Sequence, residues 1–259
     1  MELLGYFGAS LVGISLGLLG GGGAILAVPL FVYFFSLPPS LATTYSLFVV
    51  GVSSLIGFVR NFRQGQVDLR AGFYFAVPSF LGVLLVRRWL LPMIPDQWVW
   101  GPVLFNKEVV ILSSFAVVMV MAALAMLLPR ASAVKDPAAP GMFALKALGV
   151  GAVTGFVGAG GGFLIVPSLV RMSGLGMKVA VGTSLGVIAA NSLLGFFGDL
   201  WARTPMDFGL LLKVGALAVA GIFVGSYWSQ HTSEARLKPA FGIFVLLLGG
   251  IIIVQQMLN

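Results

Sequence analysis

Ten apolar segments, most of them 17 to 22 residues long, account for nearly the whole chain. A helix rises about 1.5 Å per residue, so about 20 residues cross the ~30 Å hydrocarbon core of a bilayer. The 259 residues are 59% hydrophobic and 9% charged, whereas a globular domain averages about 25% charged. The sequence therefore predicts an all-α integral membrane protein without a sizeable soluble domain. The predicted segments are 3–19, 24–36, 41–60, 71–91, 107–128, 142–158, 162–172, 178–198, 208–228 and 237–257.

The second half of the chain repeats the first. With a shift of 138 residues, 17–47 aligns with 155–185 at 12 identities in 31 positions, including a glycine run, a proline and a serine in the same order. Such internal repetition is typical of transporter folds. We predict a first membrane repeat at 1–128, a proline-rich linker at 129–141 and a second membrane repeat at 142–259, each repeat with about five helical segments.

The second segment of each repeat is too short to cross a bilayer and follows a run of glycines, 20–23 or 158–162. Glycine is a poor helix former, by about 1 kcal/mol relative to alanine, so consecutive glycines should interrupt the helix. Irregular backbone at membrane depth must be buried in protein or line a wet cavity. We therefore predict that the first two segments of each repeat form a broken hairpin whose tip lies inside the membrane. A plain pair of tilted spans is the alternative.

Parity then predicts that the two repeats are inverted. A hairpin returns the chain to its starting side and three further segments cross, so each repeat ends on the side opposite to its start. Ten of the basic residues, among them Arg60, Arg63 and Lys178, then share one side against five on the other. The positive-inside rule makes the first side cytoplasmic and both termini external, in the cell inner membrane. Because the N-terminus has no basic region, we expect no cleaved signal peptide.

Residues for catalysis or metal binding are scarce. The chain has one histidine, His231, and no cysteine, and its acidic residues fall in predicted loops or at segment ends. We therefore expect no enzyme, cofactor or metal site. The net charge of +7 is explained by cytoplasmic loops beside anionic lipid, so lipid and not nucleic acid is the expected partner. A homo-oligomer is left open.

The glycine runs are the predicted substrate site. If each precedes a half-helix, it brings a helix N-terminus into the membrane, where unpaired N–H groups and the helix dipole can bind an anion. Close helix packing is the alternative, as expected for the spaced pair Gly13 and Gly17. The predicted backbone ligands are Gly21, Gly22, Gly23, Gly160, Gly161 and Gly162.

Hydroxyl and amide side chains on the third segment of each repeat complete the predicted site. They suit a small oxyanion and avoid the cost of a buried lysine, although interhelical hydrogen bonding is an alternative for each of them. Asp199, the acid nearest an apolar run, is the candidate for proton coupling, with an interfacial acid beside Trp201 as the alternative. The predicted side-chain ligands are Thr44, Ser46, Thr183, Ser184 and Asn191.

At these motifs the sequence resembles the sulfite exporter TauE/SafE family. The resemblance is carried by 158–167, 181–185 and 191–192, with first-repeat copies at 20–29 and 46–47, and it covers nearly the whole chain. It implies transport of small sulfur-containing anions such as sulfite or sulfonates. The first repeat departs from the second, with Thr44 and Tyr45 where Gly182 and Thr183 stand.

These observations together predict a secondary transporter of small sulfur oxyanions, sulfite or an organosulfonate, working as an exporter by alternating access. An anion channel or an importer of a related anion is the alternative within transport. A membrane scaffold that transports nothing is the alternative from another class; such a protein would not need two facing glycine breaks.

Overall fold

The computed structural model describes residues 2–95, 97–100, 103–127, 140–158, 161–201, 206–229 and 234–258. Its ten helical segments match the ten predicted apolar segments. Most of the predicted linker, 128–139, lies outside the described residues. The segments are α1 Glu2–Leu19, α2 at 20–34, α3 Pro39–Arg63, α4 Leu69–Met93, α5 Lys107–Leu127, α6 Pro140–Val157, α7 Gly162–Ser173, α8 Met177–Trp201, α9 Phe208–Ser229 and α10 Glu234–Leu258.

Two of these segments depart from regular α-helix. Segment α2 begins as a 3₁₀ helix at Gly20–Leu26 and ends in a π-helical turn at Leu30–Phe34. Segment α4 is regular over Leu69–Leu85 and continues through a π-helical turn at Val86–Leu90. Such π-turns occur often at functional sites.

A small β-hairpin is the one element that the sequence did not predict. Strands β1, Gln97–Trp100, and β2, Val103–Asn106, pair antiparallel with Gln97 opposite Asn106. This stretch, 97–106, falls between the predicted segments 71–91 and 107–128. Its aromatic and β-branched residues favour strands, and the signal was too short to separate from a loop.

The surface of the helices is apolar and their interior contains polar side chains. Phe7, Phe73 and Leu212 are more than 60% exposed, whereas Ser46 and Asn191 are fully buried. The interior is also mostly apolar, and it is the extent of exposed apolar surface that suits a lipid environment. Six helical stretches among the described residues are long and apolar enough to cross a bilayer: Leu3–Phe34, Pro39–Arg63, Leu69–Met93, Lys107–Leu124, Met177–Trp201 and Phe208–Trp228.

Helices α3 and α8 cross antiparallel at the centre of the molecule. A Cβ on Gly51 would lie 2.9 Å from the Leu193 side chain, and the Phe48 and Phe196 rings are 5.1 Å apart. Both helices are rich in buried small and polar residues over their middle turns. They form the core against which the other segments pack.

The remaining helices pack in pairs that are reciprocal between the two halves. Helix α1 packs on α9 and α6 packs on α4, while α2 contacts α7 and α5 contacts α10. The contacts are equivalent at residue level, because Gly13 lies against the backbone of Ala218 and its repeat partner Gly151 lies against that of Ser79. These spaced glycines serve close packing, as was expected of Gly13 and Gly17.

Aspartates begin the fourth helix of each half. The Asp68 carboxylate accepts a hydrogen bond from Ala71 N at 2.9 Å at the start of α4. Asp207 accepts from Gly209 N at 2.8 Å at the start of α9. Both carboxylates satisfy amide groups that have no partner within the helix and complement the helix dipole. These two acids are therefore helix caps.

Candidate functional site

The chain turns at each glycine run, after α1 in the first repeat and after α6 in the second. Gly20 and its repeat partner Gly158 have φ of 67° and 70°, a conformation that glycine adopts at little cost. Beyond Gly20 the chain returns along α1, because a Cβ on Gly8 would lie 2.5 Å from Leu30 Cδ1 and Gly23 lies against Ser15. Although 3–34 is almost continuously helical, it forms an antiparallel hairpin.

The tips of the two hairpins contact each other beside α3 and α8. A Cβ on Gly21 would overlap the backbone of Gly162, and one on Gly162 would overlap that of Gly21. The two glycine runs are therefore in direct backbone contact. This supports the packing role that was the alternative for the runs, at least for these two residues.

The other predicted glycine ligands have different surroundings. Gly23 and Gly161 lie against the preceding helix of their own repeat, at Ser15 and Thr154. Gly22 is buried, yet a Cβ there would meet only the Leu19 side chain, at 3.4 Å. Gly160 lies outside the described residues. Gly22 is thus the one described glycine of the runs at which a side chain could be added without displacing packed atoms or straining a positive φ.

Helix α7 begins directly at this contact. Gly161 precedes it in the left-handed conformation, and no side chain caps its first turn. The Gly161 carbonyl accepts from Leu164 N and Ile165 N, so the amides of the two residues between have no acceptor within the helix. An uncapped helix N-terminus carries partial positive charge. Chemically, this end of α7 can stabilise an anion.

The predicted hydroxyl and amide ligands are spread along α3 and α8. Thr44 donates to Asp199 at 2.6 Å, and Thr183 accepts from Asp68 N at 2.9 Å. Ser184 donates to the backbone carbonyl of Val181 at 2.8 Å. These three groups already have partners within the protein, so the structure does not gather them around one cavity.

A second group of polar atoms is buried without partners on the same two helices. Asn191 donates to Ser79 at 2.8 Å, while its Oδ1 has no partner. Ser46, like Asn191 one of the predicted ligands, has an unpartnered Oγ. Buried polar atoms without partners are rare, and a bound water or ion commonly satisfies such atoms. The others on α3 and α8 are Ser53 Oγ, Ser54 Oγ and Ser192 Oγ.

Asp199 forms an ion pair with Arg87 of α4. The side chains are 18% and 7% exposed, and Thr44 donates to the same carboxylate oxygen. Trp201 is 89% exposed, so Asp199 faces the protein interior and not the interface beside that tryptophan. Arg87 was not among the predicted site residues. The signal for it was its place inside the predicted apolar segment 71–91.

The described part of the chain contains no group of three acidic or histidine side chains able to hold a metal ion. Its polar chemistry is that of hydroxyls, amides, backbone N–H groups and one buried ion pair. This set suits reversible binding of a small anion.

Comparison with known proteins gives a consistent family. Residues 6–252 match the family described as "Sulfite exporter TauE/SafE". A "Probable membrane transporter protein" of Xylella fastidiosa (strain Temecula1) is 32% identical over 91% of this chain and 88% of its own length. "Probable membrane transporter protein YdhB" of Bacillus subtilis is 26% identical over 92% of this chain and 95% of its own. No solved structure matches.

The matched region covers nearly all the helices described above, including both glycine runs and the Arg87–Asp199 pair. The relatives are aligned over most of their own length, so the likeness concerns whole proteins. The chain belongs to the sulfite exporter TauE/SafE family and is a multi-pass membrane transporter.

Proposed function

We propose that this protein is a secondary transporter that exports a small sulfur oxyanion, sulfite or an organosulfonate, across the cell inner membrane by alternating access. The observation that carries the proposal is the meeting of two glycine runs, one from each repeat, at the tips of two helical hairpins. The family description names sulfite. A membrane scaffold would need neither paired breaks nor an uncapped helix start in the interior.

The proposal includes two inverted repeats with both termini outside. Its support is that contacts in one repeat have equivalents in the other. A Cβ on Gly20 would lie 2.7 Å from Val181 Cγ1. In the same way Gly158, the repeat partner of Gly20, lies against Thr43, the repeat partner of Val181. A pseudo-twofold relation of this kind lets one repeat move against the other around a fixed site.

The substrate would bind when the two tips separate. The amides of 21–23 and 160–162 and the uncapped start of α7 would then face the anion and hold its charge through backbone dipoles. Ser46 and Asn191, with unpartnered buried oxygens, would supply side-chain contacts, as would Ser184, Thr44 and Thr183 after local rearrangement. The contact between Gly21 and Gly162 represents the closed arrangement.

Asp199 is the proposed site of coupling to protons. Protonation would weaken its pairing with Arg87 and release the contact between α4 and α8. We expect wild-type sulfite flux to respond to a pH gradient across the membrane. In Asp199→Asn the response should vanish, whereas a response as large as that of wild type would remove Asp199 from coupling.

Flux in proteoliposomes tests the transport proposal. Purified protein should give saturable movement of sulfite, inhibited by organosulfonates and insensitive to chloride at equal concentration. A scaffold would give no flux above empty liposomes, and preference for another anion would reject sulfur oxyanions as the substrate class. The proposal includes no enzymatic activity and no nucleic-acid partner; lipid and the substrate anion are its only partners, and a homo-oligomer is not required.

A further inference from the structure

The ends of three helices meet at two repeat-equivalent junctions in the structure. Where α1 ends, it meets the last turn of α3 and the first turn of α8; the repeat-equivalent junction lies where α6 ends, at the other ends of α3 and α8. At the second junction, the ion pair of Arg87 and Asp199 and the hydroxyl of Thr44 satisfy one another. The charges there are neutralised within the protein.

The first junction carries different side chains at the equivalent positions. Ser226 stands where the other copy has Arg87, Asn61 where it has Asp199, and Gly182 where it has Thr44. A cavity of about 140 Å³ lies at this junction, where about 10–15 Å³ suffices for one water. It is lined by Gly17, Leu18, Arg60, Asn61, Gln64, Gln66, Lys178, Val181, Leu185 and Ser226.

The lining is cationic and rich in hydrogen-bond donors. Its described residues include one arginine, one lysine, three side-chain amides and a hydroxyl, and none of them is acidic. The ion pair at the equivalent positions, Arg87 with Asp199, has no counterpart in the lining of this cavity. Arg60, which is half-buried, and Lys178, which is exposed, line the cavity with no acidic side chain among its described lining residues.

Ordinary helix electrostatics explains one of these cations but not the other. Arg60 lies in the last turn of α3, where a cation complements the helix dipole. Lys178 is the second residue of α8, where the dipole is positive and a cation is unfavourable. An anion in the cavity would relieve this repulsion and would be attracted by both cations.

We propose that this cavity, the Arg60–Lys178 pocket, binds the transported oxyanion at the mouth of the pathway, beside the tip of the first hairpin and apart from the glycine runs. The inference rests on the proposed function. The pocket lies on the side that the basic residues predict to be cytoplasmic, so it concentrates substrate where an exporter loads it. At the equivalent position on the opposite side, the Arg87–Asp199 ion pair neutralises the cation that could otherwise bind an anion.

Binding of sulfite to detergent-purified protein tests the pocket. Lys178→Gln and Arg60→Gln should each raise the Kd for sulfite about tenfold, and Lys178→Arg should restore it. Arg63→Gln is the matched control, because Arg63 is in the same helical turn as Arg60, is exposed and does not line the cavity. Its Kd should stay within about twofold of wild type.

A double variant introduces the ion pair of the second junction at the equivalent positions of the first. The double change Asn61→Asp with Ser226→Arg should form an ion pair in the pocket and abolish high-affinity binding while the melting temperature is kept. If this variant does not fold, the two glutamine variants decide the matter.

The outcomes separate this inference from the proposed function. Wild-type protein that neither binds nor transports sulfite would reject the function. Wild-type binding and flux with equal Kd values in Lys178→Gln, Arg60→Gln and wild type would overturn the pocket and leave the function standing. Equal losses in Arg60→Gln and Arg63→Gln would also overturn it, because they would reflect surface charge alone.

Discussion

At the scale of single residues, the glycine run 20–23 meets several distinct demands. Gly20 supplies the positive φ of the turn, Gly21 the backbone contact with Gly162, and Gly23 the close approach to α1. Gly22 meets none of them and is the position where binding can be tested apart from folding. This separation could not be derived from the sequence, in which the four glycines look alike.

We expect Gly21→Ala to destabilise the protein by about 1–3 kcal/mol, because its Cβ overlaps the Gly162 backbone. Gly22→Ala should stay within about 0.5 kcal/mol of wild type. Thermal unfolding in detergent measures both. If the run binds the anion, Gly22→Ala should also lose the stabilisation that sulfite gives to wild type; full retention would remove this residue from the site.

Gly161→Val tests the second glycine run, but it changes the fold as well as the predicted site. Gly161 has φ of 64° and lies against Thr154, so valine would strain the backbone and displace packed atoms. We expect lower yield and a lower melting temperature together with lost transport. A normal melting temperature with full flux and full anion stabilisation would exclude Gly161 from both roles.

The ion pair makes a separate prediction about stability. Asp199→Asn leaves Arg87 buried without a counter-charge and should cost about 3–5 kcal/mol, whereas Arg87→Met combined with Asp199→Leu should recover most of the loss. Melting temperatures of the single and double variants provide the test. A single variant as stable as wild type would show that the pair contributes little to the fold.

At the scale of elements, the hairpins could be predicted because helix length and glycine runs act locally. Eleven or thirteen apolar residues cannot span a bilayer, and glycine interrupts a helix wherever it occurs in series. The Arg87–Asp199 pair depends on a contact between segments distant in sequence, which no local pattern reveals. The β-hairpin is local, with Gln97 opposite Asn106, and its strands were too short to separate from a loop.

A disulfide can test the first hairpin. Gly8→Cys with Leu30→Cys should cross-link, because these residues face each other across α1 and α2. In one continuous helix they would be about 33 Å apart, too far for a disulfide. The chain has no native cysteine, and Gly8→Cys with Leu19→Cys, both within α1, is the control that should stay reduced. Absence of the Gly8–Leu30 cross-link would contradict the hairpin.

At the scale of the whole molecule, the two repeats exchange equivalent contacts throughout: α1 with α9 and α6 with α4, and each hairpin tip with the third helix of the other repeat. The side chains at the junctions break this equivalence, with an ion pair at one and a cationic cavity at the other. A symmetric frame permits the motion that alternating access requires, and different side chains at the two junctions would let the two openings differ in their affinity for an anion.

The proposed topology rests on the distribution of basic residues and can be measured with single cysteines. Arg63→Cys should react only with a thiol reagent supplied from the cytoplasmic side, and Asp96→Cys, at a position outside the described residues, only from the external side. Labelling of position 96 from the cytoplasm alone would contradict the inverted arrangement.

Counterflow in proteoliposomes tests alternating access most directly. Liposomes loaded with unlabelled sulfite and diluted into a trace of labelled sulfite should transiently accumulate label above equilibrium, because a carrier returns loaded faster than it returns empty. Organosulfonate inside should replace sulfite, and Lys178→Gln should need more substrate for the same effect. Label that only equilibrates, with no overshoot at any internal concentration, would identify a channel and contradict alternating access.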